Sequence, residues 1–234
     1  PSRQRQRPEK RRPTVSTDFE RLRETQTRRL QRLLETLSET NSFYRHKLAS
    51  PDAPDRIDLE TLEDLPFTTK TELVEDQEKH PPYGTNLTFE RSLYVRSHQT
   101  SGTTGRPLRW LDTRDSWQWF RDCWAEILGE AGVTGDDCVF VAFSFGPFIG
   151  FWGAFEAAQQ MGCLTLSGGA LTTEQRLESL LDHQASVLIS TPTYALRLAE
   201  TARLRGIDLA SSSVRLTLHA GEPGASVPNV RKQL

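Results

Sequence analysis

The spacing of apolar positions changes character near residue 93. Before it, Leu30, Leu33, Leu34 and Leu37 recur at helical intervals within residues 17–49, and Thr17 with Glu20 forms a capping-box pattern. This predicts a long helix whose leucine stripe faces a core. After a turn at 51–54, Asp58 is placed to cap a short helix ending before Pro66. Thr69 with Glu72 caps another running to about Lys79, and Pro81, Pro82 and Gly84 close the segment.

Beyond residue 93, short β-branched or apolar runs alternate with helical segments. Strands are predicted at 93–98 and 108–111 around a Gly/Thr loop, followed by a helix at 114–131. Strands at 139–143, 163–166, 186–190 and 214–219 then alternate with helices at 151–161, 173–183 and 193–205. Such alternation builds right-handed βαβ units, so the class is α/β, a largely parallel sheet with helices on both faces, preceded by a helical segment. The expected organisation is a basic, disordered leader at 1–16, a mainly helical segment at 17–92 and an α/β nucleotide-binding portion at 93–234.

Composition narrows this picture. With 234 residues, 36% of them hydrophobic, the chain suits one large soluble domain or two small ones and excludes collagen, fibrous and disulfide-scaffold classes. The formal charge of −2 conceals a leader of net +5 over residues 1–12, set by six basic residues against Glu9. A solvated leader is favoured there over contact with nucleic acid or an anionic membrane. Cys123, Cys138 and Cys163 read as reduced, buried thiols of a cytoplasmic protein. The uncharged stretch 138–155 approaches membrane-spanning length, but Ser144, Gly146, Pro147, Gly150 and Gly153 break it, and strand, turn and helix explain it better. Neither membrane nor nucleic acid is expected as a partner. The chain opens at Pro1 rather than Met, so it need not start where its gene does.

The aromatic run Trp110, Trp117, Trp119, Phe120 and Trp124 is better read as core packing than as a stacking platform for bases. His46, His80, His183 and His219 have no ligand-spaced partners and read as surface or structural residues; no metal site is expected. The informative segment is Thr100-Ser101-Gly102-Thr103-Thr104-Gly105-Arg106-Pro107. Glycines free backbone N–H groups to turn inward, hydroxyls add donors and Arg106 balances anionic charge, as an oxyanion-binding loop requires. It is not a Walker A loop, and a plain Gly/Thr hairpin is the competing reading. His98 stands beside it, a candidate either to orient the loop or to end a strand.

HQTSGTTGRPL at 98–108 resembles the phosphate-binding signature of the adenylate-forming ligases. With LPFTTKTEL at 65–73, STPTYALRLAE at 190–200 and AGEPG at 220–224 in the same order, the chain resembles the phenylacetate-CoA ligase family over about residues 40–234. The resemblance implies an AMP-forming acid-thiol ligase. A carboxylic acid, aryl or acyl, attacks ATP to give an acyl-adenylate, and coenzyme A then displaces AMP. It implies that Ser101, Gly102, Thr103, Thr104 and Gly105 hold the ATP phosphates with Mg²⁺ sharing the charge. Arg106 replaces the family's usual lysine and so holds phosphate differently. Ala220, Gly221, Glu222 and Pro223 would lie along adenine. Phe143, Phe145, Gly146 and Phe151 are either an apolar slot for the acid or plain core. Tyr194 is expected to pack rather than react.

The family's magnesium, ribose and lysine motifs are expected beyond Leu234, so the catalytic residues are assigned there and the chain reads as a fragment. Two alternatives stand beside this reading: a superfamily member that passes the acyl group to an amine or carrier thiol, and a truncated nucleotide-binding remnant. A second copy of the chain is a candidate partner.

Overall fold

The computed structural model describes residues 15–49, 57–100, 102, 105–224 and 226–233. The chain divides into two compact units, Pro1–Arg91 and Ser92–Leu234. The expected turn at 51–54 lies outside the described residues, as does the leader up to residue 14.

In the first unit, α1 (Val15–Thr40) begins ahead of Thr17, which is therefore not its cap. The expected single helix is also interrupted at Asn41. This residue takes extended backbone, its side-chain oxygen accepts from the Tyr44 N–H, and α2 (Ser42–Leu48) starts there. Its amide group donates to Asn86 and Thr88, each at 3.0 Å, and the residue is 1% exposed. One side chain thus serves as helix cap and as long-range tether, which outweighs the helical pattern running through it. The leucine stripe is only partly covered: Leu30, Leu34 and Leu37 are half-buried and Leu33 is exposed. Asp58 caps no α-helix. Its carboxylate accepts from the Glu60 and Thr61 N–H groups, and a single 3₁₀ turn, Leu62–Asp64, follows. The expected capping box does open α3 (Lys70–Lys79), with reciprocal bonds between Thr69 and Glu72. Lys47 also donates to Glu72, and these bonds together hold its carboxyl down at about 2.

The second unit opens with an antiparallel hairpin, β1 (Tyr94–Gln99) and β2 (Arg109–Thr113). Thr113 caps α4 (Arg114–Glu130). The remainder is the expected parallel α/β pattern: β3 (Cys138–Val141), α5 (Trp152–Gln160), β4 (Leu164–Ser167), α6 (Thr173–Asp182), β5 (Val187–Ser190), α7 (Pro192–Leu204) and β6 (Leu216–His219). A short α8 (Pro228–Arg231) follows. The sheet order is β4-β3-β5-β6, all neighbours parallel.

Alternation along β3 and β5 creates two cores. Val139, Val141, Val187 and Ile189 face α4 and α5, whereas Phe140, Ala142 and Leu188 face α6 and α7. Val139, Phe140 and Val141 are 0% exposed, each burial contributing roughly 2 kcal/mol. The aromatic run divides. Trp117, Phe120 and Trp124 recur at intervals of three and four on the side of α4 that packs inward, and Trp117 is 5% exposed. Trp119 projects the other way, 67% exposed, and Trp110 on β2 is 46% exposed, so neither is core. Cys163 is buried while Cys123 and Cys138 are half-buried, and all three are free thiols.

The strands' N-terminal ends are held by a polar knot. Arg215, just before β6, contacts both carboxylate oxygens of Asp137 at 3.1 and 2.5 Å, and Ser186 and the Thr134 N–H donate at 2.7 and 2.9 Å. Burial by itself raises the Asp137 pKa, but Arg215 and the other donors outweigh it and bring it to about 2.

Two outcomes follow from this packing. A Cβ at Gly153 in α5 would lie 2.4 Å from Phe120 Cε1 and 2.5 Å from Trp124 Cδ1. Gly153→Ala, which in an exposed helix would stabilise, will instead cost about 1–3 kcal/mol by overpacking, measured by denaturant unfolding. Asp137→Asn will cost about 2 kcal/mol near neutral pH. Because the native pKa of Asp137 is depressed, its contribution is complete above the ordinary carboxylate value. It is lost as pH falls towards about 2. Melting curves down the acid limb will therefore be flatter for the variant.

Candidate functional site

Parallel α/β sheets bind ligands beyond the carboxyl ends of their strands, where adjacent strands send their connections to opposite faces. Here that point lies between β3, which exits towards α5, and β5, which exits towards α7. The 142–151 turn and the Ser190–Pro192 junction border it.

The Gly/Thr loop reaches this end of the sheet through its hairpin. The Thr100 N–H donates to the Leu108 carbonyl and the Leu108 N–H to the Thr100 hydroxyl, both at 3.0 Å, closing the base of the loop. The Gly105 N–H then donates to the Gly102 carbonyl at 3.1 Å. Gly102 has φ +67°, and a Cβ there would approach the Gly105 carbonyl to 2.9 Å, so the turn requires glycine. Ser101, Thr103 and Thr104 lie outside the described residues, and Arg106 is exposed. One bond ties the hairpin to the turn after β3: the Gln99 N–H donates to the Pro147 carbonyl at 2.8 Å.

That turn is an aromatic cluster. Phe143 meets Phe151 and Phe145 edge-on at 5.0 and 6.0 Å, and Phe145 meets Trp152 at 4.6 Å. Phe151 is 4% exposed and belongs to the core facing α5, whereas Phe143, Phe145 and Gly146 are half-buried at its rim. The Trp152 indole donates to the Gly146 carbonyl at 3.0 Å, fixing the turn's outer limb.

The 220–224 strip is pressed against the start of α7. Ala220 donates through its N–H to the Ser190 carbonyl at 3.3 Å, and a Cβ at Gly224 would strike Pro192 at 2.4 Å. Glu222 accepts from the Thr193 N–H at 2.9 Å and from its hydroxyl at 2.5 Å, and these bonds lower its pKa. Glu222 is thereby an N-terminal anchor of α7, a role its motif did not announce; Pro223 stays exposed. Tyr194 packs, as expected: Arg176 lies over its ring at 4.8 Å, and its hydroxyl donates to Thr173 at 3.3 Å. Arg176 is 6% exposed and bonds the Gly168 carbonyl and Ser144 hydroxyl, joining the turns after β4 and β3.

His98 is 5% exposed, with Trp117 at 5.2 Å between ring centres and Asp112 Oδ2 3.9 Å from Nε2. Burial, with Arg96 adding to it, lowers its pKa against the opposing pull of Asp112 and Glu156. Among the described residues no group of three His, Cys, Asp or Glu side chains could hold a metal ion, and no helix is long and apolar enough to cross a membrane.

No protein-family model matches the chain. A phenylacetate-coenzyme A ligase of Pseudomonas putida is 33% identical over 217 residues, covering 90% of this chain and 47% of the relative. The same enzyme of Thermus thermophilus is 32% identical over 217 residues, covering 92% and 47%. A crystal structure of 2-hydroxyisobutyryl-CoA ligase in complex with 2-HIB-AMP and CoA superposes with TM-score 0.86 at 30% identity, covering 94% of this chain and 47% of that one. The fold is that of the N-terminal part of the adenylate-forming CoA ligases. By sequence, the chain is a homologue of the phenylacetate-coenzyme A ligases and spans about half the length of the curated relatives it matches.

The depressed pKa of His98 gives a pH test. Its neutral form is favoured by folding, so the contribution to stability is full above the unfolded value of 6.5 and declines as pH falls below it. The drop in melting temperature between pH 7.5 and 5 will be smaller in His98→Gln than in the parent.

Proposed function

We propose that this protein takes part in ATP-dependent activation of a carboxylic acid to an acyl-adenylate, followed by transfer to coenzyme A, in the manner of the phenylacetate-CoA ligases. One observation carries the reading. A glycine-dependent loop, an aromatic turn and the 220–224 strip meet around the strands' carboxyl ends, the first two joined through Gln99 and Pro147. In this reading the backbone of Gly102 and Gly105, the hydroxyls of Ser101, Thr103 and Thr104 and the charge of Arg106 hold the ATP phosphates. The flat strip Ala220, Gly221, Glu222 and Pro223 lies along adenine. Phe143, Phe145 and Gly146 line the acid's apolar part, with Phe151 as the buried wall behind them. His98 acts from beneath, as a support of the loop's hairpin.

Activation joins the acid's carboxylate oxygen to the α-phosphorus and releases pyrophosphate. Positioning two anions for that attack against their mutual repulsion is the protein's main task. Mg²⁺ would accompany ATP as counter-ion of its phosphates. The described residues offer no acidic cluster for it, and no residue is assigned to it.

The full-length protein will exchange labelled pyrophosphate into ATP only when a suitable carboxylic acid is present. Gly102→Ala and Thr104→Ala will each lower the rate by roughly 10²-fold, as loss of preorganised donors does. Absence of exchange across a panel of aryl and aliphatic acids would overturn the reading.

A further inference from the structure

The hairpin and the aromatic turn are joined by a second, half-buried connection. Arg96 on β1 lies with its guanidinium 4.1 Å from the Trp117 ring centre and 5.1 Å from that of Trp152. Its Nη1 is 2.5 Å from Glu156 Oε1, and the Trp117 indole N–H donates to Glu156 Oε2 at 2.6 Å. Arg121 approaches the same carboxylate only to 4.0 Å. The Arg96 and Glu156 side chains are 25% and 19% exposed.

The placement matters more than the pairing. Arg96 lies on β1 four residues before the loop base at Thr100, whereas Trp152 is the first residue of α5, directly after the aromatic turn, and bonds Gly146 within it. Glu156 lies one helical turn beyond Trp152 on α5. A single cation therefore touches the strand carrying the loop and, through Trp152, the limb carrying Phe145. Partly buried ion pairs seldom exceed an apolar replacement in stability. What this one supplies is orientation, since a planar cation between two indoles and a carboxylate has one comfortable pose.

We infer that Arg96 and Glu156 are positioning residues for the proposed ligase reaction, setting the aromatic turn in register with the phosphate loop. They touch no reacting atom. The inference rests on the proposed function for its kinetic consequence, and its structural consequence is read separately. Breaking the pair frees the strand that leads to Thr100 and the Trp152 limb together, so both substrates lose.

The test uses Glu156→Gln, which keeps an acceptor for the Trp117 indole but removes the charge, and Arg96→Lys, which keeps the charge but not the plane. In pyrophosphate exchange by the full-length protein, Glu156→Gln will raise KM for ATP and for the acid together, about tenfold each, with kcat changed much less. Arg96→Lys, which keeps the ion pair, will raise both KM values by a smaller factor. Amide hydrogen exchange of both variants, without substrates, will accelerate at Gln99 and across 145–152 together. If KM for both substrates stays at the parent value, or if only the melting temperature falls, the positioning role is wrong. If the parent shows no pyrophosphate exchange, the proposed function fails. Hydrogen exchange then decides the coupling, and unaltered protection at either Gln99 or 145–152 overturns it.

Discussion

The parallel pairing of β3 with β5 is the constraint on which the rest of the second unit depends. Val139 and Phe140 point to opposite faces, as do Val187 and Leu188, so one pair of strands nucleates two apolar layers at once. Because β3 leaves towards α5 and β5 towards α7, the same pairing sets the point at their carboxyl ends where the connections part to opposite faces. A one-residue slip would turn Phe140 into the α5 layer, where Gly153 and Ala154 leave no room, and would move the aromatic turn away from the hairpin. Core and candidate site are thus two consequences of one register.

Three loops border that point, and each is held by polar contacts to a neighbour rather than by its own sequence alone. Glu222 reaches back to Thr193, Arg176 joins Ser144 to Gly168 while covering Tyr194, and Arg96 joins the hairpin to Trp152. The buried Arg176 has no carboxylate partner within salt-bridge distance among the described residues; a carbonyl, a hydroxyl and an aromatic face satisfy it instead. Polar side chains of this kind fix geometry in a region where apolar packing would leave the loops free to shift.

Much of this was legible in the sequence. The strand–helix alternation, the parallel sheet and the capping box at Thr69 and Glu72 follow from period and cap chemistry, which are local. The interruption at Asn41 was not legible, because the helical period continues through it and the deciding bonds come from Asn86 and Thr88, far along the chain. For the same reason Trp119 could not be told from Trp117 by type, only by which side of α4 meets α5. At the site, the glycines of the loop and strip were readable because turn geometry demands them. Arg96 and Glu156 carried no signal: each is an ordinary charged residue until the fold brings them together.

The Asp137 knot has one more implication. Its members, Asp137, Ser186 and Arg215, all precede their strands, whereas the loop, turn and strip lie at or beyond the strands' other ends. Holding the sheet together and shaping the candidate site are therefore assigned to opposite poles of the same strands. Residues at the upper pole are free to diverge while the lower pole keeps the strands in place, so that the loops there can change without a matching loss of fold.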